Sequence, residues 1–128
     1  EKKVSCKASF LLKNEEELGL SDKQVDKIKE LKLSSKKDMI KKNAEIELLA
    51  LDIKAGLCGD TADSARLNGL IDKKYKIKAE KAKSAIGSYT ALKKVLTKAQ
   101  KAKMKELFKK CKASKKSEAY KKKCNLSR

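Results

Sequence analysis

At 128 residues, with 41% charged residues, 4% aromatics and no proline, the chain has the length of one domain and the composition of an all-α protein with coiled-coil-like cores. Thirty-five Lys and Arg against 17 Asp and Glu give a formal charge of +18, which calls for an acidic partner or surface, or serves solubility. The lack of His, of a Gly-rich phosphate loop and of any apolar run near the ~20 residues of a bilayer span argues against zinc-finger, enzyme and membrane-inserted classes.

In chain order, residues 1–9 carry no periodic pattern and are expected to be loose. Phe10, Leu11, Leu12 and Leu18 then predict a short amphipathic helix that ends at Gly19. The stretch Leu20-Ser21-Asp22-Lys23-Gln24 is a capping box: the Ser hydroxyl can accept from the backbone N–H three residues on, while the Gln side chain reaches back to the N–H of the cap. From Ser21 the pattern lengthens, with Val25, Lys32, Met39, Ile46 and Ile53 recurring every seven residues and Ile28, Leu49 and Leu57 filling the alternate seam. Over 46–53 the residues Ile46, Leu48, Leu49, Ala50, Leu51 and Ile53 leave hardly any polar face, so something beyond one neighbouring helix is expected to cover that side.

Gly56 is expected to follow the helix end in the left-handed conformation, and Asp60 or Thr61 to cap the next helix. That returning helix is predicted to turn Leu67, Leu70, Ile71, Tyr75, Ala82, Ile86, Tyr89, Leu92 and Leu96 inward, with Lys73, Lys74, Lys76, Lys78, Lys81 and Lys83 clustered in its middle. A second box, Leu96-Thr97-Lys98-Ala99-Gln100, opens a final helix whose Met104, Leu107, Phe108 and Cys111 share one face. The Lys- and Ser-rich segment 113–128 is expected to be loose unless Cys124 ties it down.

Charge is uneven. Residues 44–72 hold six acids against two bases, whereas the last twenty hold nine bases against Glu118 alone. Four cysteines, Cys6, Cys58, Cys111 and Cys124, stand at wide spacings with no Cys-x-x-Cys pair, and are disulfide candidates in an oxidising compartment. A Cys6–Cys111 bridge is favoured if the last helix folds back on the first, with Cys58 the odd one out and Cys111–Cys124 the competing pair. A start at Glu1 rather than Met fits a product from which a signal peptide was removed, or equally a boundary chosen elsewhere.

The paired boxes, the long helical hairpin between them and the basic balance resemble the Spy/CpxP family of bacterial periplasmic proteins, whose signature is two Leu-Thr-x-x-Gln motifs. Leu96, Thr97 and Gln100 match the second motif; Leu20 and Gln24 match the first, where Ser21 replaces Thr. The likeness covers roughly residues 10–111. It implies a four-helix hooked hairpin that dimerises antiparallel into a curved cradle, a periplasmic location and, as in the chaperone members of the family, ATP-independent holding of unfolded envelope proteins. The lack of His departs from the metal-responsive members, and four cysteines are a further departure.

The function expected is therefore a holdase or stress-response protein binding unfolded clients through a basic, partly apolar surface. Lys73, Lys74, Lys76, Lys78 and Lys81 are candidates for charge, and Phe10, Leu11, Leu12 and Met104 for apolar contact. Metal binding through the cysteines is the alternative class. Nucleic-acid binding is disfavoured by the presence of only two arginines, Arg66 and Arg128. No catalytic residue, resident metal or cofactor is expected.

Overall fold

The structure, a computed structural model, describes residues 2–125, with side chains over 4–116. They form α1 (Lys2–Lys13), α2 (Glu15–Leu18), α3 (Asp22–Cys58), α4 (Ser64–Val95) and α5 (Lys98–Asn125), with no strand among the described residues. The chain is all-α, with five helices where four were expected.

The extra helix arises at the N-terminus. Residues 2–9, expected to be loose, are helical because Val4, Ala8 and Leu11 recur at helical spacing and are buried, Ala8 and Leu11 completely. Sequence periodicity underrates this face because Val4 and Ala8 are small apolar residues spaced among lysines. At Asn14 the helix breaks: its backbone N–H at 3.2 Å and its side-chain amide at 2.8 Å both donate to the Phe10 carbonyl, a local side-chain bond that competes with continuation of the helix. Gly19, at φ 64°, then closes α2 in the left-handed region.

α3 and α4 dominate the packing. Asp38 meets Ser84, the backbone of Gly56 meets Leu67, and Gln24 reaches Val95, contacts that run α4 antiparallel to α3. At about 1.5 Å per residue, the 37 residues of α3 extend about 55 Å.

The connection differs from expectation. α3 continues through Gly56 to Cys58, and among the described residues only Gly19 has positive φ. A Cβ on Gly56 would stand 2.6 Å from Leu67 Cδ2, so glycine there admits the first turn of α4 rather than a left-handed backbone. Neither Asp60 nor Thr61 caps α4. Asp63 does, its Oδ1 accepting from the N–H groups of Ala65 at 3.1 Å and Arg66 at 3.3 Å.

Along α3 the expected seam is buried or half-buried at Val25, Ile28, Lys32, Met39, Ile46, Leu49 and Ile53, but Leu57 is exposed. On α4 the inward set is partly corrected. Leu67, Leu70, Tyr89, Leu92 and Leu96 turn in, while Ile71, Tyr75, Ala82 and Ile86 face solvent. The seam runs instead through Lys74, Ile77, Lys81, Ser84 and Ser88, spaced three and four from Leu70 and Leu92. Its middle is polar: Asp38 accepts from Lys42 at 2.9 Å and Ser84 at 2.7 Å, and these bonds, Lys42 first, hold its carboxyl below the usual carboxylate range.

The buried core sits at the opposite end from the α3–α4 turn. Ala8, Leu11, Leu18, Ile28, Leu92, Leu96 and Met104 form it, with Phe10, Leu12, Leu20, Leu31, Val95, Leu107 and Phe108 packed around them. Residues 113–125, also expected to be loose, continue α5 as helical backbone.

Candidate functional site

The two boxes cap their helices as the sequence predicts. Ser21 Oγ accepts from the Gln24 N–H at 3.3 Å and Thr97 Oγ1 from the Gln100 N–H at 3.2 Å. In return, Gln24 Oε1 accepts from the Ser21 N–H at 2.9 Å and Gln100 Oε1 from the Thr97 N–H at 3.0 Å.

The boxes also lock to each other, which capping alone does not require. Gln24 Nε2 donates to Gln100 Oε1 at 2.8 Å and to the Val95 carbonyl at 2.8 Å. Gln100 Nε2 donates to Gln24 Oε1 at 3.2 Å and to the Gly19 carbonyl at 3.1 Å. Val95 and Gly19 each stand two residues before a cap, so the arrangement is pseudo-symmetric. Each amide donates twice and accepts twice, which uses its full hydrogen-bonding capacity. Only Gln does this, because Glu has the cap acceptor and lacks the two donors. The clasp, with Leu20 and Leu96 beside it, ties the entry of α3 to the α4–α5 junction at the core end.

The candidate contact residues divide. Leu11 is fully buried and Met104 is 6% exposed, so these two serve the fold and are corrected as surface contacts, while Phe10 and Leu12 are half-buried against the core. Phe10 lies against Phe108 with ring centroids 4.5 Å apart. The five lysines remain accessible but do not share a face. Lys73 and Lys76 line a groove with Leu48, Leu49 and Ile77, whereas Lys78 and Lys81 line another with Met39, Ile46 and Ala85. Lys74 lies half-buried on the seam.

Of the exposed apolar residues, Leu48 and Leu51 belong to the stretch that the sequence marked as needing a further cover, Ile71, Tyr75 and Ile86 were expected inside, and Leu33 and Ile40 were passed over. Leu33, Ile40, Leu48 and Leu51 lie on the outer side of α3, and Ile71, Tyr75 and Ile86 along one flank of α4. Lys78 sits 5.0 Å from the Tyr75 ring centroid. Nearer the core end, the Lys7 ammonium hydrogen-bonds the Tyr89 hydroxyl and lies 4.0 Å from its ring centroid, with Lys93 at 4.8 Å. The bond from Lys7 pulls the Tyr89 phenol below its usual 10.0, with burial opposing and the Lys7 and Lys93 charges assisting. The signal available in the sequence was spacing: 71, 75, 82, 86 and 89 form one helical stripe, 67, 70, 74, 77, 81, 84 and 88 another.

Cys6, Cys58 and Cys111 are free thiols, which corrects the expected Cys6–Cys111 bridge. Cys58 ends α3 beside the turn, far along the chain from the other two. The side chain of Cys124 lies outside the described residues. Among the described residues no three Cys, Asp or Glu side chains gather as a metal site, and no helix is long and apolar enough to cross a membrane. No protein-family model, curated protein or solved structure matches the chain.

Proposed function

We propose that the chain is an ATP-independent holdase of the Spy/CpxP type, acting in the periplasm on unfolded envelope proteins as an antiparallel, cradle-shaped homodimer built from hooked hairpins. The observation that carries this reading is the pair of long helices with large apolar side chains held in solvent between lysines. Ile71, Tyr75 and Ile86 are 38%, 60% and 67% exposed along a flank that also carries Lys78. Exposed apolar stripes mark interaction surfaces, and a cationic surround speeds encounter with acidic segments of an unfolded chain. No catalytic group is needed for such binding.

The outer side of α3 suits a second copy. Leu33, Ile40, Ala44, Leu48, Leu51 and Ala55 follow three-, four- and seven-residue spacings over six helical turns. An antiparallel partner centred on Ala44 would set Ile40 against Leu48 and Leu33 against Ala55, the self-complementarity that a twofold interface needs. The flank of α4 would then be left for clients.

The test is suppression of aggregation of a chemically denatured protein without ATP, at low and high salt. Protection at stoichiometric ratios, weakened by salt and by Tyr75→Glu with Ile86→Glu, is expected. Aggregation that proceeds unchanged in the presence of the chain rejects the proposal.

A further inference from the structure

The geometry points to a binding site for a small amphipathic anion, a medium-chain alkyl carboxylate, in the cavity between α1, the C-terminal half of α4 and α5. This inference goes beyond the holdase proposal, with which it shares only Ile86, and its tests leave Tyr75 and Ile86 unchanged. The cavity measures about 610 Å³, within the range of about 300–1,000 Å³ usual for small-ligand sites. Val4, Ala85, Ile86 and Phe108, drawn from three helices, make its walls apolar. Among the described residues its charged groups are Lys7 and Lys112, with the Tyr89 hydroxyl beside Lys7.

Among the described residues no carboxylate lines this cavity, and that sets it apart from the grooves elsewhere. The groove at Met39 and Lys78 includes Glu47, the one at Leu48 and Lys73 includes Glu45 and Glu80, and the one at Leu20 and Val25 carries Glu15, Glu16, Asp22 and Asp26. A ligand carboxylate entering any of those meets a like charge; here it meets two ammonium groups. The Lys7 ammonium is already positioned by the Tyr89 hydroxyl and lies 4.0 Å and 5.7 Å from the Tyr89 and Phe108 ring centroids. One of its three N–H groups donates to the Tyr89 hydroxyl, and a ligand can accept from the others. A purely hydrophilic anion would gain nothing from the walls, and a neutral alkane nothing from the lysines. An alkyl chain ending in one carboxylate uses both.

The probe is the fluorescent anion 1-anilinonaphthalene-8-sulfonate, titrated into the full reduced chain and displaced with octanoate, decanoate or decanol. One probe per chain is expected. Decanoate should displace it about 15-fold better than octanoate, at roughly fourfold per buried methylene, and at least about tenfold better than decanol. Lys7→Gln with Lys112→Gln should weaken decanoate binding by about tenfold or more. Lys23→Gln with Lys103→Gln, which removes the same charge elsewhere, should not. Cys6 lines the cavity and Cys58 does not, so decanoate should slow alkylation of Cys6 by N-ethylmaleimide and leave Cys58 unaffected. This second readout needs no variant to fold. Equal effects of the two double substitutions, displacement by decanol as strong as by decanoate, or Cys6 alkylation unchanged at saturating decanoate would each overturn the inference. So would absence of probe binding, or displacement by an acidic, apolar peptide but not by decanoate.

Discussion

Gln100→Glu separates a clasp from a pair of independent caps. In a capping box Gln and Glu serve alike, because the cap needs only an acceptor for its own N–H. Two unconnected caps would therefore lose a few tenths of a kcal/mol at most. In this structure the substitution removes both Nε2 donations of Gln100, to Gly19 at 3.1 Å and to Gln24 at 3.2 Å. It also sets a carboxylate oxygen against those two oxygens. Two lost hydrogen bonds at about 1 kcal/mol each, plus the cost of facing acceptors in a half-buried site, give a loss of about 2–4 kcal/mol at neutral pH. The introduced carboxyl is disfavoured in its charged form when folded, so its folded pKa is raised. Stability should accordingly return as pH falls through that value, since the protonated acid regains one donor. Urea denaturation of the parent, Gln24→Ala, Gln100→Ala and the double variant completes the test, with a coupling of about 0.5–3 kcal/mol expected between the two glutamines. A Gln100→Glu variant within about 0.5 kcal/mol of the parent, together with additive alanine variants, would refute the clasp.

Other outcomes follow from the same structure. Thr97→Ala should cost about 1 kcal/mol by denaturation, as one lost cap, while client protection at a temperature where it stays folded is retained; a normal melt with lost protection would make the motif a contact site. Gly87→Ala, mid-α4 with open space around its Cβ, should raise stability by about 0.5–1 kcal/mol, whereas Gly19→Ala, at φ 64°, should lower it by about 1 kcal/mol. The parent should sediment at twice 14.3 kDa at micromolar concentration and Leu48→Glu with Leu51→Glu at 14.3 kDa, since both leucines are more than 60% exposed in one copy; a monomeric parent rejects the dimer. Absorbance titration should place the Tyr89 phenol below 10.0 and move it back up in Lys7→Ala; no difference between the two proteins would remove the Lys7 bond as its cause.

The long helices and the boxes were legible because both are local: seven-residue recurrence from Val25 to Ile53 defines a stripe, and a Ser or Thr three residues before Gln defines a cap. The inner face of α4 was not, for a physical reason. Its larger side chains, Ile71, Tyr75 and Ile86, lie on an exposed flank, while the seam uses the half-buried Lys74, Lys81, Ser84 and Ser88, of which Ser84 donates to Asp38. Ranking positions by hydrophobicity therefore selects the wrong stripe. The first turns of α1, residues 2–9, were missed because Val4 and Ala8 are small apolar residues spaced among lysines. Gly56 was misassigned because a glycine near a helix end reads as a cap, and only the approach of Leu67 reveals the alternative. The mutual bonding of Gln24 and Gln100, 76 positions apart in the chain, has no local signature beyond the repetition of the motif itself.

The most direct measurement of the central claim is calorimetric titration of the chain with a permanently unfolded protein, reduced and carboxymethylated, in the absence of nucleotide. The account predicts saturable binding that weakens as salt rises and weakens further in Tyr75→Glu with Ile86→Glu, two positions that are 60% and 67% exposed, with the helical circular dichroism of the variant unchanged. Absence of binding at every salt concentration, or affinity unchanged by the double substitution, would contradict it.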